Sequence, residues 1–564
     1  MRIFISFIFF SLIFITTNLY AQEIPFPNYP DWESSASGRS TGLGLADING
    51  DGWKDIIIAN GNDMARQHLV VYYNQGDGTF PLDPDWQSDD IDYHGHLAVG
   101  DVNHDGWPDV AVSVYIGAGG FSDPGKVKIY YNQGGELEGT PSFESYEFYT
   151  FSCAFGDADG DGDLDLATTG GEPYSDLYDV GKIFINNDGS FSENPEWTSN
   201  FSFGSLDVDF GDMDQNGFLD VIFSCEETPN YIFLANEQGV ISDTAGWYSL
   251  DPYNYINSLD IGFTGPDKIP SIVMTGNNQL GGNGEVWKYS FPDGVPASGS
   301  ADWSSNPFGY GSGVLLADVS GDSILDLIYG GWWLPVKIAL GDNEGGFEVN
   351  PSYTSATSSV VEAIQMADLD RDDIHEKTET FYWESGKGPV IYLEKQLIEN
   401  ILSVKVNNEE IDDTAYCYVP NKNWISFADN FEAGDTIEVK YEYSNDCDIV
   451  ISNWDSNKGN YIFYNTLITG IIQPDETGGN KVFLQVAPNP VKESLNVFYS
   501  LDHENEITIQ LVNIYGQPVN SWFLGLKPAG NHYFTKNIGL INPGIYFLVF
   551  RSGNVVSSQK IIIQ

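Results

Sequence analysis

Seven times along this chain an apolar strand runs into a short loop, acidic in every copy but one, and out into a second apolar strand. The loops begin at residues 47, 101, 157, 212, 263, 318 and 368, at steps of 50 to 56 residues. A unit repeated at such a period cannot bury its apolar face alone, so the copies must pack on one another. The fullest loop is Asp157-Ala158-Asp159-Gly160-Asp161-Gly162-Asp163-Leu164-Asp165. It sets carboxylates at positions 1, 3, 5 and 9 and a glycine at position 6. Carboxylates this close repel in water, and a hard, oxygen-liganded cation makes the pattern sensible. Calcium fits it best.

The other copies vary in an ordered way. The first carries Asp47, Asn49, Asp51, Gly52 and Asp55, and the second Asp101, Asn103, Asp105, Gly106 and Asp109. The fourth carries Asp212, Asp214, Asn216, Gly217 and Asp220. The fifth keeps its strands but has Phe263 at the first position and has lost the carboxylate pattern of the loop. The sixth has Asp318, Ser320, Asp322 and Asp326, with Ser323 in place of the glycine. The seventh reads Asp368, Asp370, Asp372 and Glu376, with Asp373 at the glycine position.

A second marker keeps the same beat: an aromatic residue, one residue, then serine, as in Trp32/Ser34, Trp86/Ser88, Phe143/Ser145, Trp197/Ser199, Trp247/Ser249, Trp303/Ser305 and Tyr353/Ser355. A third apolar strand lies between the markers. Four short strands per copy is the content of a β-propeller blade. One aromatic marker precedes the first loop and none follows the seventh. The segment around Trp32 is therefore expected to supply the outer strand of the last blade, leaving no open sheet edge.

These copies resemble the FG-GAP (or VCBS) repeats of integrin α-subunit propellers and of many secreted bacterial proteins, over residues 31–395. The resemblance implies a seven-bladed propeller in which side chains at positions 1, 3, 5 and 9 bind calcium. The carbonyl at position 7 joins them, here that of Trp53, Trp107, Asp163 or Phe218. An EF-hand would need a glutamate at position 12 and flanking helices. Position 12 is Ile58, Val112, Thr168 or Phe223, inside β-rich runs. Several calcium ions, mainly structural, are expected.

The texture changes after the repeats. Residues 396–470 alternate like half-buried strands and are expected to form an immunoglobulin-like β module. Within them Asp448–Asn453 and Tyr461–Asn465 echo Asp55–Asn60 and Val70–Asn74. Either the module is inserted into a blade or a partial extra blade follows it. A linker is expected at 471–481. Residues 482–564 carry Ala487-Pro488-Asn489-Pro490, Asn513-Ile514-Tyr515-Gly516 and Pro543-Gly544-Ile545-Tyr546. They resemble the C-terminal sorting domain of type IX secretion substrates, expected as a β-sandwich. That resemblance implies the type IX machinery as a partner, and release or display at the outer-membrane surface of a Gram-negative bacterium. Residues 1–21 read as a signal peptide, with Arg2 before an apolar run too short to span a bilayer comfortably. The expectation is thus an all-β, exported chain.

With 81 acidic and 24 basic residues the net charge is -57, which repels nucleic acid phosphates. Four cysteines are too few for a disulfide scaffold; Cys417 and Cys447 share the module, and pairing and buried thiols both remain open.

If the acidic loops join strands one and two of each blade, they share one face. The opposite face is rich in aromatic and basic residues. Candidate ligand-binding residues there are Arg39, Arg66, His94, His96, Tyr253, Tyr255, Tyr310, Trp332 and Trp333. Aromatic faces stack on sugars and dominate protein interfaces. The expected function is binding or adhesion to a glycan or an extracellular protein. The rivals are a polysaccharide lyase using His94 or His96 as base, and a passive structural protein. No nucleophile or metalloprotease motif is present.

Overall fold

The computed structural model describes residues 24–465 and 482–563, apart from segments at 36–37, 173–176, 252–254, 280–282, 296, 385, 429–430 and 456 and several turns after 487. The expected signal peptide and linker lie outside the described residues. The architecture is all-β.

Each repeat folds into one antiparallel four-stranded unit. The first is Ser40–Ala46, Asp55–Asn60, Leu69–Tyr72 and Trp86–Gln87. The next four sheets begin at Tyr93, Cys153, Ser205 and Tyr255 and follow the same order. The second strands read as unbroken apolar runs, such as Ile56-Ile57-Ile58 and Val221-Ile222-Phe223, all 0% exposed. Alternation is lost because each sheet is covered on both faces by its neighbours. Each such side chain contributes about 1.5–3 kcal/mol.

The remaining sheet has six strands and serves two units. Asp326–Ala339 pairs first with Gly311–Ala317 and then, past a bend at Trp333, with the start of Tyr353–Ala367. Tyr353–Ala367 runs on into the next unit, where Met366 pairs with Ile449 of Asp448–Asn453. Tyr461–Phe463 follows, and Trp32–Glu33 is the outermost strand, with Trp32 opposite Ile462. The first strands of successive units touch in turn, and Tyr353–Ala367 touches Ser40–Ala46, closing a ring.

The aromatic–x–serine marker explains itself here. The serine hydroxyl accepts a backbone N–H at or near the start of the third strand, at 2.8–3.1 Å in all seven units. Where the aromatic is Trp32, Trp197, Trp247 or Trp303, its indole N–H donates to a carbonyl of the following unit at 2.8–3.2 Å. One residue orders its own sheet and the other stitches it to the next.

The β module differs from its expected span. Asp448–Asn453 and Tyr461–Phe463 belong to the ring, and the separate sheets lie between 374 and 444. Ile374–Tyr382, Thr436–Ser444, Ile398–Val406 and Glu409–Glu410 form one sheet; Val390–Tyr392, Trp424–Phe427 and Tyr416–Cys417 form the other. Ile398, Val404, Ile425, Phe427, Ile437, Val439 and Tyr441 are buried between them. The module is therefore inserted in the seventh acidic loop. The cause is local. Position 6 has φ of +88, +85, +91, +88 and +71° at Gly52, Gly106, Gly162, Gly217 and Ser323, which turns the chain back into strand two. Asp373 is not left-handed, and the chain continues into Ile374–Tyr382 instead.

Residues 482–563 form a three-stranded and a four-stranded sheet around their own core, including Leu495, Val497, Ile509, Leu548 and Phe550. Cys417 and Cys447 are buried free thiols, as are Cys153 and Cys225.

Candidate cation loops and aromatic face

The loop geometry is built from the backbone outward. The position-1 carboxylate accepts the N–H of position 6 in all six acidic loops, at 2.7–3.3 Å. The aspartate that opens strand two receives two N–H groups, one from position 2 and one from the end of strand three. These bonds measure 2.7–3.2 Å for Asp55, Asp109, Asp165, Asp220 and Asp326. Position 9 is thus a structural clamp whether or not it also binds an ion.

In the third and fourth loops the geometry gathers carboxylates tightly. Oxygens of Asp157, Asp159 and Asp165 lie within 4.8 Å of one another, as do those of Asp212, Asp214 and Asp220. The first two loops use Asn49 and Asn103 at position 3, each accepting the N–H of position 5, Asp51 or Asp105. The carbonyl positions Trp53, Trp107, Asp163 and Phe218 follow in the same turn, their N–H groups held by position 5. Burial pushes Asp55 and Asp157 up to about 7, Asp109 to about 8 and Asp212 to about 6. Carboxylates that resist ionising without a counter-charge suit a divalent cation. The sixth loop keeps Asp318, Asp322 and Asp326 on the same backbone frame, with Ser320 donating its N–H to Asp326.

The seventh loop departs from expectation. Asp368, Asp370 and Asp372 converge within 4.8 Å. Glu376 does not join them: it lies on the module strand Ile374–Tyr382 and pairs with Lys440. Its expected place is taken by Asp448, whose oxygens accept the N–H of Leu369 at 2.9 Å and of Asn465 at 2.8 Å. This is the ninth-position pattern of the other units.

The module sits on the loop face. Gly388 and Val390 donate backbone hydrogen bonds to Asn216 and Gly217 of the fourth loop, both at 2.9 Å. Ser426 donates to Asp157 at 2.6 Å. A side chain at Gly162 or Gly217 would strike Ala428 or Gly388, whereas Gly52 and Gly106 face open space. Phe263, the residue that replaced the fifth loop's aspartate, meets the Tyr392 ring edge-on at 4.8 Å. The emptied loop is a seat for the module. The turn around Asn421 and Lys422 enters the ring's central opening, where Lys422 binds Asp209 at 2.7 Å and Asp260 at 3.3 Å.

The opposite face holds fewer exposed aromatics than its sequence suggests. Tyr255 and Trp332 are buried, packed with Tyr115, Phe151 and Leu206. Trp333 is 57% exposed and Tyr310 39% exposed. They border a cluster with Trp454, which the sequence reading missed. Ring centroids are 5.7 Å apart for Tyr310–Trp333, 6.1 Å for Trp333–Trp454 and 5.6 Å for Trp332–Trp454. Beneath them buried Glu362 accepts from the indoles of Trp332 at 2.8 Å and Trp454 at 3.0 Å and from Ser312 at 3.0 Å. The signal for Trp454 was present: it follows Asp448–Asn453 as Trp332 follows Asp326–Gly331.

His94 is 0% exposed, with Nδ1 on the Asn60 carbonyl at 2.8 Å. His96 faces the ring interior and pairs with Asp207 at 3.3 Å. Burial opposes its cation, and the Asp207 hydrogen bond and charge outweigh that and raise its pKa. Arg66 reaches the Ile91 carbonyl at 2.7 Å, and Arg39 is half-buried. Tyr253 lies outside the described residues.

Residues 27–112 match the FG-GAP-like repeat family, and residues 485–564 match the secretion system C-terminal sorting domain. Human integrin alpha-7 is 34% identical over 118 residues, 20% of this chain and 10% of that protein. Mouse integrin alpha-3 is 31% identical over 109 residues, 17% of this chain and 9% of that protein. The chain thus spans about a tenth of the length of these curated relatives. A solved structure of BBS1N in complex with ARL6DN aligns at a TM-score of 0.41 and 13% identity, over 62% of this chain and 92% of that chain. The sorting domain implies secretion or display at the cell surface. Among the described residues, no helix is long and apolar enough to cross a membrane.

Proposed function

We propose that this chain is an exported, calcium-braced propeller whose work is recognition of an extracellular glycan or protein. The five sheets and the two halves of the long sheet are read as seven blades. The acidic loops brace the loop face and seat the module. Binding falls to the opposite face.

The observation that carries this reading is Trp333. An indole more than half exposed, beside exposed Tyr310, is a recognition platform. Trp333 also has φ of +59°, a conformation that disfavours bulky side chains. Holding it there costs on the order of 1–2 kcal/mol. Trp332, at 8% exposed, supports the platform from below. His94 is enclosed and His96 is paired with Asp207 at 3.3 Å, which weakens a lyase reading that leaned on either as base.

The test is a glycan array and an extracellular-protein panel probed with wild type, Trp333→Asn and Tyr310→Ala. Asparagine tolerates the left-handed backbone, so Trp333→Asn should keep the wild-type melting temperature within a few degrees. It should lose at least tenfold in binding to whatever the wild type captures. Unchanged binding in both variants would remove this face from the reading.

A further inference from the structure

The seventh acidic loop is cut in two by the module, and its halves meet again. Asp368, Asp370 and Asp372 arrive from the ring side, and Asp446 and Asp448 return from the module side. Residues 446–448 stand at positions 7 to 9 of a loop whose first six residues are 368–373. Asp448 makes both bonds of the ninth position, and Asp373 donates its N–H to Asp368 as position 6 does elsewhere.

Asp446 has no counterpart in the first two loops, where position 7 is tryptophan. Its carboxyl lies against that of Asp372 and is 2% exposed. Its Oδ1 has no hydrogen-bond partner, and neither has Oδ1 of Asp368, which is 0% exposed. Two buried carboxylate oxygens without donors, beside three convergent carboxylates, leave a strongly negative pocket. Glu399 of the module takes the Asp368 N–H at 3.0 Å, its charge partly offset by buried Lys54 at 3.8 Å. Lys560 is within electrostatic range of Asp370 and Asp372, so it competes for the same charge.

We propose that Asp368, Asp370, Asp372 and Asp446 form a single divalent-cation site closed across the roots of the inserted module. Occupancy ties residue 373 to residue 446 and so fixes where the module leaves and re-enters the ring. Without the ion, mutual repulsion among these groups loosens both roots. The cation that braces a loop within one blade elsewhere here governs the seating of a domain. This rests on reading the acidic loops as cation sites.

The test uses the full chain, stripped with chelator and dialysed against calcium, with bound ions counted by elemental analysis. Amide exchange is followed in the module with and without calcium. Variants are Asp446→Asn, Asp372→Asn at the exposed rim, Asp157→Asn in the third loop, Glu376→Gln and Lys560→Gln. Asp446→Asn and Asp372→Asn should each lose one ion and the calcium-dependent slowing of exchange at the module roots. Glu376→Gln should lose neither, and Lys560→Gln should bind the same ion more tightly. If Asp157→Asn loses an ion while Asp446→Asn and Asp372→Asn keep the wild-type count and protection, the split site is refuted and the other loops stand. If wild type binds no ion, the reading of all the loops falls with it.

Discussion

At the residue scale, His94 shows how a functional-looking side chain becomes structural. It stood in an aromatic, histidine-bearing stretch and read as a ligand-binding residue or a base. Its imidazole instead donates Nδ1–H to the Asn60 carbonyl in a closed site faced by Asp90, Asp92 and Lys128. Burial pushes its pKa from 6.5 down to about 4. The folded state therefore holds fewer protons here than the unfolded chain between those values. Stability from His94 is full above about 6.5 and is lost as pH falls towards 4, by up to about 3 kcal/mol. Urea unfolding of wild type and His94→Gln across that window should show a steeper acid loss in wild type. Parallel pH profiles would contradict it. The burial was not legible in sequence, because His94 lies in the polar, aromatic stretch Tyr93-His94-Gly95-His96 and only its pairing with Val114 and its bond to Asn60 enclose it.

At the scale of an element, the acidic loop was legible in its spacing and misleading at its one interruption. Position 9 of the seventh copy holds a carboxylate by coincidence, since Glu376 falls three residues after Asp373 as the period demands. The true ninth residue, Asp448, lay beyond an insertion of unknown ends. Its signature was visible in Asp448-Ile449-Val450-Ile451-Ser452-Asn453, but an inserted module and an extra partial blade explained that echo equally well. Strand pairing with Met366 and Ala367 decides it. The consequence is measurable. Asp448→Ala leaves the buried Leu369 N–H without its acceptor, at about 1–3 kcal/mol, and strips the half-buried Asn465 N–H as well. Glu376→Ala removes an exposed ion pair worth under about 1 kcal/mol. Chemical denaturation should rank the losses in that order, and the reverse order would restore Glu376 to the loop.

At the scale of the whole molecule, the ring depends on a strand taken from the far end of the chain. The aromatic marker announced this, since one copy precedes the first loop and none follows the last. Trp32 packs edge-on against Tyr72 of the first unit at 5.5 Å and donates to Phe80 at 3.1 Å. Trp247 makes an equivalent junction inside the chain, edge-on to Tyr289 at 5.2 Å with its indole on Ser298 at 3.2 Å, and like Trp32 it is buried. The local contacts match, but the tethering does not. Trp247–Tyr248 follows its own sheet in sequence, whereas Trp32–Glu33 joins Tyr461–Phe463 only by hydrogen bonds and packing. Peeling the first strand opens the ring and bares an edge that can pair with another chain. Trp32→Ala and Trp247→Ala remove the same buried side chain, so truncation alone predicts similar losses of about 3–5 kcal/mol. Closure adds a cooperative term at Trp32 only. Trp32→Ala should therefore unfold at lower urea than Trp247→Ala and show concentration-dependent self-association by light scattering. Equal midpoints and a monomeric Trp32→Ala would mean that the ring holds without its borrowed strand.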